Sequence, residues 1–113
     1  MPRDCKVHLE DILEACGKIL KYTESISFQE FSSDSKTIDA VIRNLEVIGE
    51  AVKKVPEDIR QMDPKVDWRN IAALRDILIH EYFGVDNEIV WDIIRHKLPA
   101  LKNEISDLLK NLP

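Results

Sequence analysis

The 113-residue chain is poor in the residues that break or staple a polypeptide. It holds three glycines, five prolines and two cysteines. So few breakers argue against the frequent turns of an all-β domain and leave long segments for helices. No apolar run approaches the ~20 residues a membrane span needs, and the N-terminus lacks the apolar stretch of a signal peptide. Cys5 and Cys16 read as lying on one helix, roughly 16 Å apart along its axis. A disulfide needs Cα atoms within about 7 Å, so both are expected to be small apolar core residues in a reducing compartment. No CxxC pair or Cys/His cluster suggests zinc, and neither a metal nor another cofactor is expected. A basic excess is also missing. Sixteen Lys and Arg face 21 Asp and Glu, a formal net charge of -5, which argues against a general nucleic-acid coat protein. What is present is 44% hydrophobic residues, too many for disorder. The composition describes one soluble, cytoplasmic domain over residues 1–113 with no membrane contact.

Apolar residues recur at three- and four-residue steps through most of the chain. Leu9, Ile12, Leu13, Cys16, Ile19 and Leu20 predict a helix from Asp4 to about Thr23. Residues 24–33 read as a connection that tucks Phe28 and Phe31 under the bundle. Asp34 or Ser35 caps a second helix, striped by Ile38, Val41, Ile42, Leu45, Ile48 and Val52, which Pro56 stops near Val55. Gly49 within it costs about 1 kcal/mol relative to Ala, offset by close approach of a neighbouring helix or a second subunit. Pro56 to Met62 forms a short extra turn. Asp67 caps a helix from Trp68 to about Tyr82, with Ile71, Leu74, Ile77 and Leu78 inward and Gly84 as its C-cap. Asp86 caps a fourth helix through Val90, Trp91, Ile93 and Ile94. Pro99 fits the first turn of a final segment carrying Leu101, Ile105, Leu108 and Leu109. The fold expected is all-α, a bundle of four main helices plus a C-terminal one.

One stretch concentrates reactive groups: Leu74-Arg75-Asp76-Ile77-Leu78-Ile79-His80-Glu81-Tyr82. Arg75 and Tyr82 differ by only about 20° on a helix, and Asp76 lies one turn before His80, placed to orient its ring. These residue types suit metal-free RNA cleavage. That reaction deprotonates the ribose 2′-OH, stabilises an anionic phosphorane and protonates the 5′-leaving oxygen. Histidine exchanges protons near neutral pH, and arginine offers a permanent charge with a planar donor fork. Dependence on the 2′-OH would restrict the chemistry to RNA, with DNA not expected as a substrate. On spacing alone the structural reading stands first, with a surface salt bridge for Arg75, a helix-terminal His80 and a half-buried Tyr82.

Arg75-x-x-x-x-His80-x-Tyr82 resembles the signature of HepT-like HEPN proteins, the toxin halves of HepT/MntA-type (type VII) toxin–antitoxin pairs. The flanks resemble that family as well. They include Ala40-Val41-x-Arg43-Asn44-Leu45-Glu46-x-Ile48-Gly49-Glu50-Ala51, Val66-x-Trp68-x-x-Ile71 and Val85-Asp86-x-x-x-Val90-Trp91. The likeness runs from about Asp4 to Leu109. It implies a HEPN helical bundle that pairs as a homodimer, with the motifs of two subunits lining one cleft of a metal-independent ribonuclease. By that resemblance Arg75 and His80 are the catalytic pair and Asp76 the polar residue beside them. Tyr82 matches the tyrosine that an MNT-type nucleotidyltransferase antitoxin adenylylates, placing bulk and negative charge where an RNA phosphate would sit.

Other polar residues have simpler explanations. His8 reads as solvated. His96, between Arg95 and Lys97, reads as a histidine near the C-terminus of the fourth helix, or as part of a basic cluster for RNA or the antitoxin. Lys53 and Lys54 admit the same two readings, and Glu50 that of a structural hydrogen bond or a reach across a dimer cleft. Trp68 and Trp91 are expected in the core or an interface. The acidic balance keeps a second function open: a non-catalytic module that binds a nucleotidyltransferase partner or a nucleotide.

Overall fold

A computed structural model describes residues 5–80 and 86–112, with side chains throughout except at 75–80. All regular structure among the described residues is helical. Helices α1 (Cys5–Thr23) and α3 (Ser35–Lys53) pack side by side, and α3 carries α5 (Trp68–His80) on another flank. Short helices α2 (Phe28–Ser32) and α4 (Glu57–Gln61) lie in the connections. Helix α6 (Asn87–Asp92), a π-helical turn (Ile93–Lys97) and α7 (Leu98–Asn111) follow, and α7 returns to α1. Among the described residues no helix is long and apolar enough to cross a membrane.

The stripes read from the sequence form the core. Leu9, Ile12, Cys16 and Ile19 of α1, Val41, Leu45, Ile48 and Val52 of α3, and Ile105 of α7 are all fully buried. Each such side chain contributes about 1.5–3 kcal/mol by leaving water. Leu13, Leu20, Ile38 and Leu109 are half-buried against this core. Gly49 is buried in α3. Cys5 and Cys16 are both buried and neither forms a disulfide, and burial pushes the Cys16 thiol up to about 12 against the opposing charge of Lys102. The expected start at Asp4, the C-cap at Gly84 and the inward placing of Ile77 and Leu78 fall outside what is described.

Two segments differ from the expectation. The connection at 24–33 contains α2, started by a reciprocal cap. Ser27 Oγ accepts from the Glu30 N–H at 3.1 Å, while Glu30 Oε1 accepts from the Ser27 N–H at 3.0 Å. This helix buries Phe31 completely and sets its ring 5.2 Å from that of Trp91. Downstream, the chain stays helical from α6 through α7, with no break before Pro99. A proline lacks the N–H of an α-helical turn, and its ring crowds the carbonyl four residues back, here that of Arg95. The turn widens instead, and the Leu98 N–H reaches the Ile93 carbonyl five residues earlier.

Both ends of α3 are closed by side chains. Asp34 caps α3, accepting from the Thr37 N–H at 3.2 Å and the Thr37 hydroxyl at 2.7 Å. At the other end of α3, Arg60 donates to the carbonyls of Val52 and Val55 at 2.8 and 3.0 Å. The Val52 carbonyl also accepts from the Val55 N–H at 3.1 Å, so the guanidinium adds a further donor there and ties the chain just past the helix end to α4.

Candidate functional site

Helix α5 carries the candidate residues, and its start is fixed twice. Asp67 closes the first turn: its carboxylate accepts from the Asn70 side-chain amide at 2.7 Å, and its carbonyl accepts from the Ile71 N–H at 3.0 Å. Trp68 then inserts its indole into the protein, 8% exposed, and donates its Nε1–H to the carbonyls of Arg60 and Asp63, each at 3.1 Å. Half-buried Ile71, Ala72 and Leu74 seat the next turns on the core.

From that anchor α5 runs unbroken through His80, so Arg75, Asp76 and His80 lie on one helix. Five residues separate Arg75 from His80, about 7.5 Å along the axis, and Asp76 stands about one turn before His80. The side chains of these three residues fall outside what is described, as does Tyr82 altogether. Among the described residues no group of three or more His, Cys, Asp or Glu is placed to hold a metal ion.

The surrounding cations separate into structural and solvent-facing groups. Arg60 closes α3. Arg95 stacks over the Trp91 ring, 4.3 Å from its centroid, and donates to the carbonyls of Thr23 and Ile26 at 3.0 and 2.9 Å. It ties the α1–α2 connection to the π turn and leaves the basic cluster read around His96. The signal was present as Trp91-x-x-x-Arg95, a one-turn spacing that favours such stacking. His96 also departs from the expectation. It lies inside a continuous helical run rather than at a helix end, exposed, with Nε2 3.9 Å from Asp92 Oδ1. A pair so exposed contributes little. Lys53, Lys54 and Glu50 are exposed around the end of α3.

The family described as "Ribonuclease HepT-like" matches residues 12–108. "Putative RNase MJ0127" of Methanocaldococcus jannaschii is 49% identical over 113 residues, covering 99% of this chain and 93% of its own length. "Probable ribonuclease HepT" of Thermococcus cleftensis is 46% identical, covering 97% of this chain and 100% of its own. "Putative RNase TTE0752" of Caldanaerobacter subterraneus is 42% identical, covering 91% and 92%. No solved structure is matched. The chain belongs to the HepT-like ribonuclease family.

Proposed function

We propose that this chain is a metal-independent RNA endonuclease and toxin that acts as a homodimer with one shared cleft. The observation that carries the reading is the Arg75–His80 pair on a single unbroken helix, within a family match that spans both residues. The relatives named as ribonucleases support the reaction class.

The chemistry follows from the residue types. A neutral His80 takes the proton of a ribose 2′-OH, and the 2′-oxygen attacks the adjacent phosphorus. Arg75 balances the negative charge that builds on the phosphorane oxygens. The bond to the 5′-oxygen breaks, and that oxygen takes a proton, leaving a 2′,3′-cyclic phosphate and a 5′-hydroxyl. One histidine cannot be neutral base and charged acid in the same instant. A two-fold cleft resolves this, with His80 of one protomer as base and its counterpart as acid. Asp76, one turn earlier, orients the His80 ring.

Silencing falls to Tyr82. A nucleotidyltransferase antitoxin would transfer AMP from ATP to its phenol oxygen, releasing pyrophosphate and the phenolic proton. The added phosphate would repel an RNA phosphate from the cleft. The net charge of -5 favours a second reading, a non-catalytic module for the same partner. Expression of the chain alone in a bacterial host separates them: the nuclease reading expects growth arrest relieved by His80→Ala. Arrest that persists in His80→Ala would defeat it.

A further inference from the structure

The hydrogen bonds between the end of α3 and the start of α5 converge on one residue, Arg60 of α4. Its Nη2 donates to the Val52 carbonyl at 2.8 Å and its Nε to the Val55 carbonyl at 3.0 Å. Its own carbonyl accepts the Trp68 indole N–H at 3.1 Å, sharing it with the Asp63 carbonyl. Arg60 thus grips the end of α3 with its side chain and the first residue of α5 with its main chain. Both attachments are firm, because Val52, Val55 and Trp68 are all buried. A hollow of about 380 Å³ opens over the joint, lined by Arg60, Pro64, Val66 and Trp68. Packing leaves the joint open on that side, so hydrogen bonds set its geometry.

This joint stands at the root of the helix that carries the proposed catalytic pair. Helix α5 is unbroken from Trp68 to His80, a span of about 18 Å. A tilt of about 3° at Trp68 moves the backbone at His80 by about 1 Å, and a misplacement of that size can cost about 10²-fold in rate. Helix α5 also packs on α3, and Ile71, Ala72 and Leu74 seat it on the core. Such apolar contacts are non-directional and tolerate a small tilt or slide. Hydrogen bonds weaken steeply as they bend, so the joint gives α5 its direction. The planar guanidinium meets two carbonyls at once, which a lysine ammonium on a flexible stem does not reproduce.

We propose that Arg60 is a positioning residue for the nuclease, aligning α5 through Trp68 so that Arg75 and His80 meet the scissile phosphate. The proposal rests on the nuclease reading and adds to it a residue that acts only through the helix. Burial of the Trp68 ring supplies stability, and the bonds through Arg60 supply alignment. The two contributions separate in kinetics.

Arg60→Lys, Arg60→Met and Trp68→Phe are made singly, and Arg60→Lys is also combined with Trp68→Phe. RNA cleavage in EDTA is measured at one temperature well below the Tm of every variant. Arg60→Lys should lower kcat by about tenfold with KM little changed, and Arg60→Met should lower it further. The double variant should fall no further than the worse single one, because both changes break the same path. Amide hydrogen exchange adds a readout that needs no activity: in Arg60→Lys the first turns of α5 should lose protection while α1 and α7 keep theirs. Unchanged kcat in the folded Arg60 variants would overturn the proposal, as would a raised KM with kcat retained or losses that multiply in the double variant. Equal loss of protection in every helix would overturn it as well, since Arg60 would then only stabilise the fold. A parent chain that cleaves no RNA defeats the nuclease reading and the role of Arg60 with it, whereas an active parent matched by its Arg60 variants defeats that role alone.

Discussion

Trp68 sets the position of the helix that bears Arg75 and His80, and its removal has a size that can be worked out. The indole is 8% exposed, and its N–H is shared between two carbonyls at 3.1 Å. A buried indole removes about 200 Å² from water, an upper bound of about 5 kcal/mol. The hydrogen bond contributes about 1 kcal/mol net. Burial therefore outweighs the polar contact. Trp68→Phe gives up the N–H and a fraction of the ring, about 2 kcal/mol in all, while Trp68→Ala loses about 3–5 kcal/mol. For a domain of this size each kcal/mol lowers Tm by about 4–6 °C. Thermal and urea unfolding at one fixed protein concentration, followed by far-ultraviolet circular dichroism, reads both variants. A loss in Trp68→Phe equal to that in Trp68→Ala would refute the reasoning, because the hydrogen bonds would then be the anchor. No loss in Trp68→Ala would show that Trp68 does not anchor α5.

Three further outcomes are expected from the structure and a fourth from the role proposed for Tyr82. The Thr37 hydroxyl and N–H hold the Asp34 carboxyl below its ordinary value, so its contribution is present above the usual carboxylate range and is lost as pH falls through the lowered native value. Asp34→Ala should lower Tm at neutral pH and much less in strong acid, and Asp34→Asn should retain most of the cap, as melting curves will show. The Cys16 thiol, raised to about 12, should resist a thiol-reactive dye at pH 8 until the protein unfolds. Stability should fall above about pH 9, where an unfolded thiol ionises and the buried one does not. With a nucleotidyltransferase partner and ATP, intact-mass analysis should show one added AMP per chain; no shift, or a shift that persists in Tyr82→Phe, would count against Tyr82 as the modified group.

Local patterns were legible in the sequence, and distant ones were not. The stripes Leu9–Ile19 and Val41–Val52 announced α1 and α3 because burial selects one helical face and leaves a periodic trace. Asp34, Asp67 and Asp86 were readable as caps, since a cap acts within three residues. Ser27-x-x-Glu30 carried the trace of α2 and could have predicted it. The continuity through Pro99 had no local signal, because a proline ordinarily marks a helix start and the widened turn depends on packing. Arg95 clasping the Thr23 carbonyl, 72 residues away, is a tertiary contact that no spacing encodes. For the candidate site, spacing placed Arg75, Asp76 and His80 on one helix, and α5 carries all three. Their roles came from resemblance, because a helix with Arg, His and Tyr on it arises equally from packing and solvation.

Cleavage of RNA by Arg75 and His80 without a metal can be read in one assay. The purified chain is incubated with tRNA and mRNA in excess EDTA, beside His80→Ala and Arg75→Ala, with circular dichroism confirming that all three are folded. Cleavage by the parent, reduced by about 10²-fold or more in each variant, is the expected result. Equal cleavage by all three proteins, or none by the parent until a divalent cation is restored, would contradict the account.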